Sequence, residues 1–293
     1  MNRCESRCGK AAERPKERGR EVKVLVTGAG GQVGLELTRL LPERGHEAVP
    51  LTRGDLDISS LEAVEATLEH HRPNLVVNAA AYTNVDGCEE NRELSYAVNA
   101  TGPANLARTT ERLGAELLHL GTNYVFDGEA DRPYEPFDPP NPRSAYGRGK
   151  LAGDELVMRL TNRFFVVRSA GVYGEGHNFV RTMLRVAKDH PTLKVKADEY
   201  IAPTHAKDLA EGLIDLVESR RYGLYHLTNS GSCSWHEFAT AIFSLSNIEV
   251  EVLPVPASEY PLPAERPKNG LLYDPAAPKL RHWREALTDY LTR

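Results

Sequence analysis

From position 22 onward, short runs of β-branched and aliphatic residues alternate with longer stretches in which apolar side chains recur every three or four positions. A near-continuous apolar run ending at a glycine turn fits a strand buried on both faces, and the longer spacing fits a helix with one apolar stripe. Residues 22–26 are therefore predicted as a first strand and 32–43 as the helix after it, closed by Pro42 and Gly45. Further strands are expected at 48–51, 74–78, 115–120 and 164–168. Helices are expected at 61–70, at 93–113, and from Ser144 or Ala145 to about residue 160, after a Pro-rich loop at 132–143. This β-α-β-α order predicts an α/β fold, a Rossmann-type doubly wound parallel sheet with helices on both faces.

Beyond residue 168 the regularity loosens. Helices are expected at 178–190, 205–219, 234–245 and 283–291, with short strands near 193–195 and 225–227. A Pro/Glu-rich stretch at 254–267 interrupts the pattern. The expectation is a smaller, discontinuous C-terminal substrate lobe over the sheet's C-terminal edge, with other segments returning to complete the sheet. The division expected is an extension at 1–20, a Rossmann domain at 21–170, and a mainly substrate-binding lobe at 171–293.

Hydrophobic residues at 41% and charged residues at 26% are ordinary for a globular protein in water. No apolar stretch approaches the roughly 18 residues of a membrane span, so no membrane partner is expected. The net charge of -5 gives no footing for nucleic acid. Cys4, Cys8, Cys88 and Cys233 are scattered, without zinc-type pairs or a secreted disulfide framework, which suits the cytoplasm. Residues 1–20 carry seven Lys/Arg against three Glu and almost no aliphatic side chain, so they are expected to be a disordered, inert extension. They lack the apolar core of a secretory signal, and the three Glu do not suit a transit peptide.

The loop Gly28-Ala29-Gly30-Gly31-Gln32-Val33-Gly34 leaves the first strand and opens the first helix, the setting a dinucleotide fingerprint requires. Gly28 suits a sharp turn, Gly31 lets the backbone approach a pyrophosphate, and Gly34 lets the helix lie close on the strand. Glycines alone often mark only a turn; the flanking strand and helix favour the NAD(P) reading. An acidic residue after the second strand would select NAD. The chain has Leu51-Thr52-Arg53-Gly54 there, and Arg53 suits a 2′-phosphate unless it is only a solvated loop cation. NADPH is the expected cofactor, with NADH also usable. Asp57 is placed for the adenine, with Ile58 beside the ring; its bland reading is a helix N-cap, a role open to Ser59 or Ser60 as well.

Tyr146 and Lys150 stand four apart on a predicted helix and so project from one face. A phenol titrating near pH ~10 is a poor acid at neutral pH. A neighbouring ammonium favours the phenolate and lowers that value, the role expected of Lys150. Thr122, just past the fourth strand, offers a hydroxyl to a substrate oxygen. Tyr-x-x-x-Lys is common on surface helices, and it gains weight from the glycine loop upstream. Together they predict a nicotinamide-dependent oxidoreductase. Residues 77–81 add small side chains against which a nicotinamide ribose can pack. The His70-His71 and Trp235-His236-Glu237 groups have no further ligand at metal spacing, so no metal is expected and neither group is assigned a function.

From about residue 22 to 287 the chain resembles the extended short-chain dehydrogenase/reductase superfamily and, within it, the dTDP-4-dehydrorhamnose reductase family. The resemblance rests on residues 27–34, Leu56-Asp57-Ile58, Val77 through Thr83, Val98-Asn99, Asn123 through Gly128, and Tyr146 through Lys150. It continues through Val172-Tyr173-Gly174, Asn178-Phe179-Val180, Pro203-Thr204 and Arg266-Pro267. By position, the resemblance implies Tyr146 as proton donor, Lys150 as its partner and Thr122 as the third catalytic residue. It implies that Gly31, Gln32, Val33, Asp57, Ile58, Ala80, Ala81 and Tyr82 line the cofactor. It also implies reduction of the C4 ketone of a dTDP-6-deoxy-L-hexulose, the last step to dTDP-L-rhamnose.

The chain departs from the family pattern twice. Gly121-Thr122-Asn123 stands where the family reads Ser-Thr-Asp, and Gly171 stands where it carries an aromatic beside the sugar. Both departures fall on the substrate side, which assigns Thr122, Asn123, Tyr146 and Gly171 to the sugar. Two other readings stay open: a non-catalytic NADP-binding subunit similar to the regulatory subunit of methionine adenosyltransferase, and a nucleotide-sugar epimerase or dehydratase. The expected partner is a nucleotide sugar, and a homodimer is left open.

Overall fold

The computed structural model describes residues 21–292, so the extension at 1–20 lies outside the described residues. Apolar runs form β1 (Lys23–Thr27), β2 (Glu47–Leu51), β3 (Leu75–Asn78), β4 (Glu116–Thr122) and β5 (Phe164–Ser169). Between them come α1 (Gln32–Glu43), α2 (Leu61–His71), α3 (Val85–Glu90), α4 (Arg92–Tyr96), α5 (Gly102–Leu113) and α6 (Ala145–Leu160). The second half adds β6 (Val172–Tyr173), α7 (Phe179–Val186), β7 (Thr192–Lys196), β8 (Tyr200–Ile201) and β9 (Thr204–His205). It continues with α8 (Ala206–Ser219), β10 (Gly223–His226), β11 (Cys233–Ser234), α9 (Trp235–Leu245), β12 (Glu251–Val255) and α10 (Trp283–Leu291).

Six strands form one parallel sheet in the order β10-β5-β4-β3-β1-β2. The chain leaves β1 toward one edge and returns to β3 on the other side. This reversal opens a crevice at the carboxyl ends of β1 and β3, where ligands bind in such sheets. Alternate side chains of each strand serve opposite cores. Val24 and Val26 pack under α1 and α8, while Leu25 and Val76 pack under α2, α5 and α6. The fold is thus Rossmann-type, and one sheet strand and one covering helix come from beyond residue 170. A separate core around Tyr173, Val180, Phe238, Ile242, Trp283 and Leu287 holds α7, α9 and α10 together.

Three expectations need correction. The single helix expected at 93–113 is α4, a π-helical turn at Ala97–Thr101, and α5. The π turn carries Asn99, whose amide grips the Tyr82 backbone: Tyr82 N–H donates to Oδ1 at 2.9 Å and Nδ2 donates to the Tyr82 carbonyl at 3.0 Å. That tie between helix and loop has no periodic signature in sequence. The helix expected to reach residue 190 stops at Val186, where i→i+3 bonds from Lys188 to Arg185 and from Asp189 to Val186 replace the helical pattern. Pro254 sits inside a strand rather than a break, in β12 paired only with β7, and proline is tolerated at such an edge.

Candidate active site

The crevice is a cleft of about 790 Å³ running from the glycine loop to the segments beyond β5. At its phosphate end, Gly28 takes φ +67°, and a β-carbon there would lie 2.6 Å from the Ala80 nitrogen. A β-carbon on Gly34 would lie 2.2 Å from the Gly28 carbonyl oxygen. The turn and the first turn of α1 therefore need glycine at both positions. Gly31 caps α1 without a side-chain hydrogen bond, and the first turn holds no acidic residue. The open N–H groups and the positive end of the helix dipole thus face the cleft. Gln32 donates to the His177 carbonyl at 3.4 Å, while its Oε1 is buried without a hydrogen-bond partner. A glycine cradle and a bare helix N-terminus fit a dinucleotide pyrophosphate.

Gly28, Gly31, Gln32, Val33 and Gly34 line this end of the cleft, and Ala80, Ala81 and Tyr82 line the wall beyond β3. Arg53, Asp57 and Ile58 line the mouth beside β2. Asp55 is tied into its own turn: its carboxylate accepts from the Thr52 N–H at 2.8 Å and the Thr52 hydroxyl at 2.6 Å. Asp57 accepts from the Ser59 hydroxyl and N–H at 2.6 and 3.0 Å. Ser59 holds the Asp57 carboxyl below its usual pKa, with a smaller contribution from the Arg53 charge. The N-cap of α2 is Ser60, which accepts from Ala63 N–H. Arg53 is the exposed cation at this mouth.

Thr122, Tyr146 and Lys150 line the middle of the same cleft. Thr122 ends β4 and accepts from Tyr124 N–H at 3.3 Å, which points its hydroxyl oxygen into the turn that follows. Ser144 caps α6 through Gly147 N–H at 3.1 Å, setting Tyr146 in the first helical turn against Tyr124, with ring centroids 5.4 Å apart. Lys150 is buried and donates to the Leu120 carbonyl at 2.6 Å. Burial lowers its pKa to about 8, against the opposing charge of Asp154.

The expectation that Lys150 lowers the Tyr146 pKa does not describe this state. Desolvation raises the phenol above the ordinary tyrosine value, and the opposing influence is its hydrogen bond with Thr122. Lys150 spends its strongest hydrogen bond on a backbone carbonyl, so the phenol lacks an ammonium partner here. Tyr146 is therefore held as the neutral acid, which is the form a proton donor needs.

The part of the cleft beyond β5 contains Gly171, and Asn123 lies on the same lining. Gly171 has φ +56°, and a β-carbon there would come within 3.2 Å of the Ala202 carbonyl oxygen, so a bulky aromatic is disfavoured at this position. Its neighbours on the lining include Glu199, Trp235 and Arg266, which the sequence reading missed as site residues. Trp235, to which its sequence context assigns no function, opens α9 and lies against Phe179, with ring centroids 4.6 Å apart. In the same group, His236 binds the Val252 carbonyl and Glu237 completes the α9 capping box. Arg266 binds Asp86 on α3 with two hydrogen bonds of 2.6 and 2.7 Å. Asp86 and Arg266 are 180 positions apart, and only the fold brings them together. Among the described residues, no three His, Cys, Asp or Glu side chains cluster as a metal would need, and no helix is long and apolar enough to cross a membrane.

The family model described as RmlD substrate binding domain matches residues 22–293. The chain is 43% identical over 274 residues to the spore coat polysaccharide biosynthesis protein SpsK of Bacillus subtilis, covering 92% of this chain and 96% of that one. It is 40% identical over 286 residues to the dTDP-4-dehydrorhamnose reductase of Mycobacterium tuberculosis, covering 93% of each. The crystal structure of dTDP-4-dehydrorhamnose reductase from Bacillus anthracis in complex with NADP superposes with a TM-score of 0.90 at 36% identity, covering 93% of this chain and 99% of that one.

Proposed function

The chain belongs to the RmlD substrate-binding family of dTDP-4-dehydrorhamnose reductases, and on that premise we propose that it is an NADPH-dependent oxidoreductase. It reduces the C4 ketone of a dTDP-linked 6-deoxy-hexulose, converting dTDP-4-dehydro-L-rhamnose to dTDP-L-rhamnose. The observation that carries this reading is one cleft with Thr122, Tyr146 and Lys150 in its middle and a pyrophosphate cradle at its end. NADPH supplies hydride to C4 when bound. Thr122 holds the ketone oxygen, and Tyr146, kept protonated by its desolvated setting, gives its proton to the nascent alkoxide. The Lys150 charge then stabilises the phenolate left behind. On the cofactor side, Arg53 favours NADPH over NADH, and Asp57 and Ile58 take the adenine.

In this reading residues 21–170 serve mainly the cofactor and residues 171–293 mainly the sugar nucleotide. Asn123 and Gly171 border the sugar, and Trp235 provides the aromatic surface at that end. Two free, buried thiols, Cys88 and Cys233, support a cytoplasmic setting. The homodimer left open by the sequence is decided by light scattering of the purified protein.

The test is an assay of the purified chain with dTDP-4-dehydro-L-rhamnose and NADPH, following cofactor oxidation. Turnover is expected, and Tyr146→Phe should lower kcat by roughly 10²–10⁴. Cofactor binding without turnover across a panel of nucleotide sugars would overturn the reading in favour of a binding subunit. Product without net cofactor consumption would favour an epimerase.

A further inference from the structure

We propose that His119, locked in one tautomer by Asn78, is a positioning residue that lets Lys150 release and regain a proton beside Tyr146. The inference rests on the reductase reading above. His119 lies at the centre of β4, fully buried, between Asn78 of β3 and Val166 of β5. Asn78 fixes its tautomer. The Ala80 backbone N–H donates to Asn78 Oδ1 at 3.2 Å, and the Thr27 hydroxyl donates to the same oxygen at 2.7 Å. A backbone N–H can only donate, so the amide oxygen is on that side and Asn78 Nδ2 faces His119 Nδ1 at 3.0 Å. Nδ1 therefore accepts, and the ring hydrogen is on Nε2.

That N–H has two neighbours. Lys150 Nζ is 3.3 Å away and Asp154 Oδ1 is 3.6 Å away. Asp154 Oδ1 is buried without a hydrogen-bond partner, since Arg168 Nε takes the other oxygen at 2.9 Å. With Lys150 as ammonium, its nitrogen has no lone pair, and the His119 N–H is left with only Asp154 Oδ1, which at 3.6 Å lies beyond hydrogen-bond length. With Lys150 as neutral amine, its lone pair accepts that same N–H. The imidazole hydrogen is thus within hydrogen-bond range of the lysine nitrogen alone, and the geometry favours the neutral amine without moving the backbone.

The charged and titratable groups around Lys150 are Asp154 and Tyr146 from α6, His119 from β4 and Arg168 from β5; Tyr124 and Cys88 stand behind Tyr146. Burial and the Lys150 charge keep His119 neutral well below its usual pKa, so it donates a hydrogen bond but does not itself ionise. The proton balance is closed. Tyr146 gives its proton to the alkoxide, Lys150 passes one to the phenolate, the neutral amine so formed accepts the His119 N–H, and solvent returns a proton to Lys150.

Three measurements test this. In wild type, nitrogen NMR of His119 should show hydrogen on Nε2; hydrogen on Nδ1 would overturn the proposal without any variant. In the cofactor-free protein, the 13Cε titration of Lys150 should move to higher pH in His119→Phe by about one pKa, a tenfold change in its acid constant, because a donor favouring the neutral amine is gone. His119→Gln, which keeps an amide N–H, should restore part of that shift. The alkaline limb of the kcat profile should move with the titration. A lower kcat with an unmoved Lys150 titration, or equal shifts in the Phe and Gln variants, would reduce His119 to core packing. If wild type turns over no nucleotide sugar, the reductase reading fails, while the tautomer and the titration still decide this one.

Discussion

At the phosphate end of the cleft, residues 28–34 supply the turn, the close backbone approach and the helix N-terminus within seven consecutive positions. At the sugar end, Glu199, Trp235 and Arg266 arrive from three separate stretches of the second half. The two ends also differ in what they present. One offers mostly backbone amides, whose placement follows from φ and ψ; the other offers side chains carried in by packing. The first end is therefore brittle to a single added methyl and the second to the loss of long-range ties.

The sharpest way to break that contrast is Gly34→Ala. Its β-carbon would sit 2.2 Å from one backbone oxygen and 2.7 Å from Ala29 Cα, and neither is a flexible side-chain end. The loop must shift away from the phosphate position, so stability should fall by roughly 3 kcal/mol, the upper range for overpacking. NADPH affinity should fall about a hundredfold, or ~2.7 kcal/mol. Calorimetry and thermal melts check both. Tight binding in a folded Gly34→Ala variant would mean that the cradle is more compliant than its geometry implies.

This contrast also explains what could be read without coordinates. The six strands of the sheet lie within two residues of where their apolar runs predict them, because each is a contiguous signal. The glycine loop is legible for the same reason. The Asn99 clamp, the Asp86–Arg266 bridge and the place of Trp235 in the cleft were not, since each depends on which distant segments meet. The sense of the Tyr146 shift was also misjudged. A Tyr/Lys pair at helical spacing says that two side chains share a face, and says nothing of a carbonyl such as that of Leu120 competing for the ammonium.

The tie between α8, which covers the sheet, and the segment leading into α10 gives a second test. Asp208 on α8 accepts from Arg281 Nε and Nη2 at 2.8 Å each, and from Asn229 Nδ2 at 2.7 Å. Burial alone would raise its carboxyl pKa, but His205 at 3.6 Å and the hydrogen bonds from Arg281 and Asn229 outweigh burial and hold it far below the ordinary value. A carboxyl depressed in the folded state contributes stability that is complete above its unfolded pKa of about 3.9 and is lost as pH falls toward the folded value. Asp208→Asn should cost about 2 kcal/mol at neutral pH, less than for a fully buried pair because Arg281 is a third exposed. The variant should also lose less stability than wild type between pH ~4 and ~2. Hydrogen exchange should show opening around α10 before the sheet. Uniform opening of both halves would show that they unfold as one unit and that the sugar end has no separate weakness.

The smallest expected effect lies at the cleft mouth, where side chains rather than backbone choose the cofactor. Asp55 is engaged by Thr52, so no carboxylate from that turn is free for a ribose diol. Arg53 is exposed on the lining, with Asp57 near enough for its charge to be felt. A charge-assisted hydrogen bond to a 2′-phosphate is worth about 1.5–3 kcal/mol. Exposure and the competing Asp57 carboxylate push the effect to the low end, so NADPH should be favoured over NADH by about tenfold. Arg53→Ala should raise the KM for NADPH and leave that for NADH nearly unchanged, drawing the two together. Added salt should narrow the gap in wild type and do little in the variant, because it screens a charge the variant lacks. Equal weakening of both cofactors would make Arg53 a general phosphate attractor, and the choice between them would then fall to the Asp57 and Ser59 turn.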